Sequence, residues 1–171
     1  MKFPKYNKEI LLDLLKQKKI EFSLYNHPAL FTVEDSKKNR GNISGMHSKN
    51  LFFKNKKNIF YLFSCFEKQD IDLKKLSKSA KLGNISFAKE DKLYDIMGIK
   101  PGSVSPFGLL NDNFNQVNFF LDSKIYNTDY INFHPLLNTS TITVKVSDLV
   151  NLLIDNNKKV NIFDFESYSI I

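Results

Sequence analysis

The segment from Pro101 to Gly108 has the composition of a ligand-binding loop. Its two prolines lack a backbone N–H, and its two glycines allow the backbone to approach a ligand closely. The segment fits neither a helix nor a strand pattern, although helix and strand patterns flank it. We therefore predict a shaped loop whose backbone N–H groups point outward, and the N–H groups of Gly102 to Ser105 could stabilise an oxyanion.

A second polar segment, residues 133 to 139, places His134, Asn138 and Thr139 among apolar residues. A histidine in such a segment can act as a general base, orient a substrate through a hydrogen bond, or simply pack in the core. The sequence leaves these three roles of His134 open. We expect the two polar segments to lie together at a functional site.

Several kinds of chemistry lose support because their motifs are absent. The chain has no GxGxxG, Walker, GxSxG or HExxH motif, so dinucleotide, NTP, serine-hydrolase and zincin functions are disfavoured. Its three histidines and Cys65 lack metal-ligand spacing, and we expect no metal and no cofactor. Cys65 ends an apolar run, which predicts a buried thiol and not a nucleophile.

Positive charge is concentrated in the first third of the chain. Residues 1–60 contain 13 Lys and Arg against 5 Asp and Glu, whereas residues 61–171 contain 12 against 13. An excess of this kind favours a polyanionic partner such as nucleic acid. A merely solvated lysine-rich surface is an equally good interpretation of the composition alone.

The hydrophobic patterns predict a single α/β domain over residues 1–171, with a mixed, mostly antiparallel central sheet and flanking helices. Asn7 is a predicted helix cap, and the apolar runs 50–53 and 59–63 predict a hairpin at the sheet centre. Helices are expected at 72–82 and 89–97, ended by Gly83 and Gly98, and another after a cap at Ser147. The tail after Phe163 has no assignment. No apolar leader or membrane span is seen, so a cytoplasmic protein without a membrane partner is expected.

Four segments of the chain resemble the YbaK-like aminoacyl-tRNA editing superfamily: residues 27–34, residues 48–52, residues 98–109, and Phe133-His134-Pro135 with Asn138-Thr139. Within that superfamily the chain is most similar to the freestanding prolyl-tRNA editing proteins. The motif order is kept over most of the chain. The resemblance implies a mixed-sheet fold and a mechanism without a metal or a covalent enzyme intermediate.

The resemblance also implies the site residues. The family lysine corresponds to Lys49, the family GxxxP loop to Gly102 through Pro106, and the family histidine to His134, which makes Lys49, Gly102 and His134 the expected catalytic residues. The expected substrate-binding residues are Phe31, Thr32, Val33, Met46, His47, Ser103, Val104, Ser105, Pro106, Asn138 and Thr139. For those at 31–33, 46 and 47, ordinary packing is an equal alternative. In this family a hydroxyl of the substrate is thought to help orient the water.

The function implied by the resemblance is hydrolysis of mischarged tRNA(Pro), with alanyl-tRNA(Pro) as the expected substrate and prolyl-tRNA synthetase as a possible partner. We expect Lys37, Lys38 and Arg40 to contact tRNA phosphates, because they flank the loop before Lys49. Two alternatives stay open. One is deacylation of another small aminoacyl-tRNA, such as cysteinyl- or seryl-tRNA, and the other is a non-catalytic module that binds tRNA or a synthetase.

Overall fold

The computed structural model of the protein describes residues 3–39, 41 and 43–171. The helices are α1 (Lys8–Gln17), α2 (Val33–Asn39), α3 (Leu73–Ser79), α4 (Glu90–Met97), α5 (Ser123–Tyr126) and α6 (Val146–Asp155), with a 3₁₀ helix at Pro106–Asn111. The strands are β1 (Phe22–Asn26), β2 (Met46–Asn55), β3 (Phe60–Phe66), β4 (Ile85–Phe87), β5 (Val117–Asp122), β6 (Tyr130–Phe133), β7 (Ser140–Lys145), β8 (Val160–Asp164) and β9 (Ser169–Ile170).

The strands form one mixed sheet in the order β1-β7-β6-β2-β3-β5-β8-β9, and β4 pairs with β2 off this path. The pairs β2–β6, β3–β5 and β5–β8 are parallel, and the other pairs are antiparallel. The expected α/β fold with a mostly antiparallel sheet is confirmed. The apolar strands β2 and β3 lie in the middle of the sheet, as their composition predicted.

Both faces of the central strands are covered by apolar clusters. Phe52 and Leu62 belong to a cluster that includes buried residues of α1, α4 and α6. Their neighbours Phe53 and Phe63 point to the other face and pack in a cluster with Leu76 of α3. Successive side chains of a strand alternate between faces, so a strand covered on both faces must be apolar at nearly every position. This requirement explains why β3 and residues 51–53 of β2 are mostly apolar.

Local capping signals were predicted with mixed success. The Oδ1 of Asn7 accepts a hydrogen bond from the N–H of Ile10 at 2.9 Å, and Gly98 ends α4 with a φ of 65°. By contrast, α3 ends at Ser79, well before Gly83, because the chain already turns at Lys81 with a φ of 55°.

The C-terminal third differs from prediction in two places. Lys145, not Ser147, is the N-cap residue of α6, and it makes no side-chain capping bond, because the helix directly follows β7. The unassigned tail folds back as the short hairpin β8–β9. No helix within residues 3–39, 41 and 43–171 is long and apolar enough to cross a membrane.

Candidate active site

A cavity of about 270 Å³ opens where the two polar segments meet the head of β2. Five separate stretches of sequence contribute to its lining, and they include all three predicted catalytic residues. The lining residues are Leu30, Phe31, Thr32, Ser48, Lys49, Asn50, Leu51, Glu67, Gly102, Val104 and His134. The structure therefore brings Lys49, Gly102 and His134 together at one cavity.

Two residues of the loop before the 3₁₀ helix, Gly102 and Val104, line this cavity. The N–H and the Oγ of Ser103 both donate to the carbonyl oxygen of Lys100, at 3.2 and 2.9 Å, so the Ser103 amide is already used. The N–H groups of Gly102 and Val104 have no acceptor within the described residues. Gly102 and Val104 are therefore the candidate oxyanion donors, and the prediction that included Ser103 is corrected.

The second half of the predicted loop is buried structure. Ser105 is fully buried and its Oγ accepts a hydrogen bond from the N–H of Phe107 at 3.3 Å, which caps the 3₁₀ helix that begins at Pro106. A Cβ on Gly108 would lie 2.3 Å from the Cδ1 of Ile99, so this glycine serves close packing. Ser103, Ser105 and Pro106 lie outside the lining of the cavity, and their role in substrate binding stays a prediction.

Asn138 and Thr139 are not among the lining residues, but their hydrogen bonds connect segments that carry lining residues. The Nδ2 of Asn138 donates to the carbonyl oxygen of Leu30 at 3.2 Å, and the N–H of Leu30 donates back to the carbonyl oxygen of Asn138 at 3.2 Å. The carbonyl oxygen of Thr139 accepts from the N–H of His27 at 3.0 Å. These bonds hold the segment before α2 against the segment that contains His134.

His134 has a defined tautomer. Its Nδ1 lies 2.7 Å from the carbonyl oxygen of Ser140, which can only accept, so Nδ1 carries the proton and Nε2 keeps its lone pair. Burial lowers the pKa of His134 below its usual 6.5, the bond to Ser140 raises that pKa in part, and nearby His27 lowers it. The two rings lie 6.0 Å apart between centroids. His134 is thus neutral at pH 7, with Nε2 able to accept a hydrogen bond.

Lys49 is held at the head of β2, opposite Cys65 of β3. Its Nζ donates a hydrogen bond to the carbonyl oxygen of Gln69. An ammonium group has three N–H donors, so two remain for a substrate oxygen. The carbonyl contact fixes the direction of a long side chain that would otherwise be mobile, which favours a positioned cation at the cavity.

The sequence analysis missed three polar residues that line the cavity, Ser48, Asn50 and Glu67, as well as the apolar Leu30 and Leu51. The Oδ1 of Asn50 accepts a hydrogen bond from the fully buried Ser64 at 2.5 Å, and the Oγ of Ser48 donates to the carbonyl oxygen of Asn132 at 3.0 Å. Ser64 interrupts the apolar strand β3, and its partner Asn50 directly precedes the apolar run 51–53 of β2. That interruption of the pattern was the available signal, because buried polar groups need partners.

The remaining predicted residues lie around the cavity or are not among the described residues. Met46 packs against the core, and the Nε2 of His47 lies 3.1 Å from the carbonyl oxygen of Ile43, beside a cavity of about 40 Å³ that also touches His134. The Oγ1 of Thr32 caps α2 by accepting from the N–H of Asp35 at 3.0 Å. The side chain of Val33 and all of Arg40 lie outside the described residues. Lys37 is exposed, and the exposed Lys38 pairs with Glu34 at 3.1 Å.

Within the described ranges, no group of three or more His, Cys, Asp or Glu side chains could hold a metal ion. Cys65 does not offer a nucleophile either. Its side chain is completely buried, and burial raises the pKa of the thiol to about 12, although Lys49 lowers that pKa in part. A thiolate is therefore not populated near neutral pH, in agreement with the sequence prediction.

Replacement of Cys65 by serine should lower stability and leave turnover nearly unchanged. The buried hydroxyl would lose water contacts at a cost of about 1–3 kcal/mol, whereas the sulfur takes no part in the reaction. Thermal unfolding and the turnover rate of the same preparation measure the two effects. Cys65→Ala is the matched apolar control, and a stable but inactive Cys65→Ser protein would point to thiol chemistry.

The fold and the cavity define a site of hydrolytic type, with two backbone donors, a cation and a neutral histidine around a small space. The family model described as the aminoacyl-tRNA editing domain matches residues 27–152. The chain therefore belongs to the aminoacyl-tRNA editing domain family, and it is an aminoacyl-tRNA deacylase. The resemblance to the YbaK-like editing superfamily that the motifs indicated is confirmed.

Known proteins with similar sequences and folds agree with this membership. The prolyl-tRNA editing protein ProX of Acetoanaerobium sticklandii is 31% identical over 147 residues, which cover 85% of this chain and 90% of ProX. The prolyl-tRNA synthetase associated domain-containing protein 1 of Xenopus laevis is 33% identical over 132 residues, covering 74% and 78% of the two chains. A crystal structure of a candidate trans-editing enzyme for prolyl-tRNA synthetase has a TM-score of 0.65 at 18% identity, covering 91% of this chain and 95% of that one, which supports the fold.

Proposed function

We propose that this protein hydrolyses the ester bond of mischarged tRNA(Pro) in trans, and that alanyl-tRNA(Pro) is its substrate. The names of the relatives from Acetoanaerobium sticklandii and Xenopus laevis both point to prolyl-tRNA. A synthetase pocket built for proline rejects the smaller alanine weakly, because each missing methylene is worth only about 1–3 kcal/mol. A separate site that hydrolyses alanyl-tRNA(Pro) removes the alanine that the synthetase has wrongly attached.

The observation that carries the proposal is the group of donors at the cavity. Water adds to the ester carbonyl carbon, and the carbonyl oxygen becomes an oxyanion within reach of the N–H groups of Gly102 and Val104. The bond to the ribose oxygen then breaks, the ribose oxygen takes the proton that the attacking water gives up, and the free amino acid leaves. No side chain needs to bond covalently to the substrate.

Lys49 and His134 have separate roles in this scheme. The two remaining N–H groups of the Lys49 ammonium bind an oxygen of the terminal phosphate or ribose. The Nε2 of His134 accepts a hydrogen bond from the substrate hydroxyl or the attacking water, because Nδ1 is fixed by Ser140. We assign His134 this orienting role, which needs no change of its charge during the reaction.

We propose two partners, the tRNA on the basis of surface charge and the synthetase because it makes the substrate. The exposed Lys37 and Lys38 lie on α2, beside the cavity segment that holds Phe31, and are proposed contacts for tRNA phosphates. Prolyl-tRNA synthetase is a proposed partner because it produces the mischarged tRNA. A cell compartment that holds translation is the proposed location for the same reason.

Deacylation assays with purified alanyl-, cysteinyl-, seryl- and prolyl-tRNA(Pro) test the function directly. The expected result is rapid hydrolysis of alanyl-tRNA(Pro) and little hydrolysis of prolyl-tRNA(Pro). Faster hydrolysis of the cysteinyl or seryl ester would assign the site to that amino acid. Binding of all four without hydrolysis above the spontaneous rate would indicate a non-catalytic tRNA-binding module.

The pH dependence of deacylation should reflect the lowered pKa of His134. Because its pKa lies below 6.5, kcat/KM should stay nearly constant from about pH 8 down to pH 6.5 and fall only at more acidic pH. His134→Asn should lower kcat/KM about tenfold, the effect of one lost neutral hydrogen bond, and remove the acidic decline. A decline centred above pH 6.5, or one that persists in His134→Asn, would contradict the assignment.

The lowered pKa of His134 also makes the stability of the protein depend on pH. The unfolded chain binds the His134 proton more readily than the folded chain, so the free energy of unfolding should decrease as the pH falls below 6.5. Well above pH 6.5 the histidine is neutral in both states and this contribution is constant. Unfolding curves recorded at several pH values for wild type and His134→Asn would isolate it.

A further inference from the structure

Phe31 stands out among the residues that line the cavity because its aromatic ring is mostly in solvent. Its side chain is 67% exposed, although it lies at the rim of a cavity that contains Lys49 and His134. The other exposed aromatic residues of the described ranges are not among the residues that line this cavity; one of them is Phe114, which is 84% exposed. Exposed aromatic rings are ordinary on a protein surface. An exposed ring at the rim of an active site is a candidate for binding the substrate.

The backbone on both sides of Phe31 is held by hydrogen bonds of its neighbours. Leu30, just before it, is paired with Asn138 by two hydrogen bonds, and Thr32, just after it, caps α2. A Cβ added to Gly102 would lie 3.0 Å from the Cδ1 of Phe31. One edge of the ring therefore lies against the oxyanion loop, while most of its surface stays open to solvent.

The substrate supplies a flat apolar group close to this position. The ester carbonyl must lie at Gly102 and Val104, and the ribose that carries the ester also carries the terminal base of the RNA. A base stacks well on an aromatic side chain, and stacking is largely independent of base identity because every base has a flat face. A solvent-exposed ring beside Gly102, on a segment that is anchored on both sides, provides such a surface.

We infer that Phe31 is the stacking platform for the terminal base of the RNA, and so positions the ester at Gly102. This inference rests on the proposed function. It makes Phe31 a binding residue that acts on substrate affinity, while bond cleavage depends on the loop amides. The competing assignment, in which the ring contacts the side chain of the amino acid, predicts a different response to removal of the base.

The test uses a short acceptor-stem RNA esterified with alanine, prepared once with a terminal adenosine and once with a terminal abasic ribose. On the adenosine RNA, Phe31→Leu should raise KM about 5- to 150-fold, which corresponds to the stacking of one base on an aromatic ring, with kcat little changed. Phe31→Trp should retain the wild-type KM. On the abasic RNA, wild type and Phe31→Leu should have the same KM.

Phe114→Leu is the matched control, since it removes an exposed ring away from the cavity and should change neither constant. Equal increases of KM on both RNAs, or an effect of Phe31→Leu on kcat alone, would overturn the inference and leave the proposed function in place. A wild-type protein that hydrolyses neither RNA nor intact alanyl-tRNA(Pro) would overturn the proposed function and this inference with it. Thermal unfolding of Phe31→Leu should match wild type because the ring is exposed.

Discussion

Replacement of Gly102 by valine is expected to slow deacylation. The activation free energy should rise by about 2–4 kcal/mol, as it does when an oxyanion donor is lost. Gly102 has a φ of 87°, a conformation that a β-branched residue adopts only with strain. Its new Cβ would meet Phe31 at 3.0 Å, and the Nδ2 of Asn138 and the carbonyl oxygen of Leu30 at 3.2 Å each. The side chain would therefore displace the loop amides and occupy the approach of the ester carbonyl.

Gly83→Val is the matched control for the backbone strain. Gly83 has a φ of 74°, and an added Cβ there would have no atom within 4 Å. Both substitutions should lower stability by about 1–3 kcal/mol, as expected for a strained residue, but Gly83→Val should retain deacylation. The rates must be compared at a temperature where both variants are folded. If Gly102→Val deacylates as fast as Gly83→Val, the oxyanion assignment is wrong.

Replacement of Lys49 by alanine should reduce kcat/KM about 100-fold, equal to ~2.8 kcal/mol and within the range for a hydrogen bond to a charged group. The ammonium is the cation that the described wall of the cavity offers to a phosphate or ribose oxygen. Its loss leaves the two backbone donors to bind a charged substrate by themselves. Deacylation kinetics together with thermal unfolding measure the effect on the site and on the fold.

Lys54→Ala is the control for the loss of a lysine from the same strand. Lys54 lies near the other end of β2, where its Nζ donates to the Oδ1 of Asn58 at 3.3 Å, away from the cavity. This substitution should leave kcat/KM within about threefold of wild type, as is usual for a surface charge. A folded Lys49→Ala protein with similar activity would remove Lys49 from the catalytic machinery.

Local structure was predictable where the cause was itself local. Asn7 caps α1 through a bond that spans three residues, and Gly98 ends α4 because glycine tolerates a positive φ. Strand β3 and the run 51–53 of β2 were predictable because a strand segment covered on both faces is apolar at nearly every position. Where two local solutions compete, prediction failed. The chain turned at Lys81 instead of Gly83, and α6 began without its expected serine cap.

The oxyanion loop shows the limit of composition as a guide. Proline, glycine and serine between residues 101 and 108 indicated an open loop, yet the part from Pro106 onward is a buried 3₁₀ helix. Pro106 fits the first turn of a helix, where a missing N–H costs nothing, and Gly108 fits close packing against Ile99. The same residue types therefore serve a loop in the first half and a packed helix in the second.

By itself the sequence determined the fold class, the family and the identity of Lys49, Gly102 and His134 as candidates, because periodicity and motifs are properties of short segments. Only the tertiary structure decided which groups at the site are available to a substrate. The Ser103 amide is consumed by Lys100, and Asn138 holds Leu30, 108 residues away in the chain, through a bond that depends on how distant segments align. Hydrogen bonds between such segments are set by strand register and packing, which no short stretch of sequence encodes.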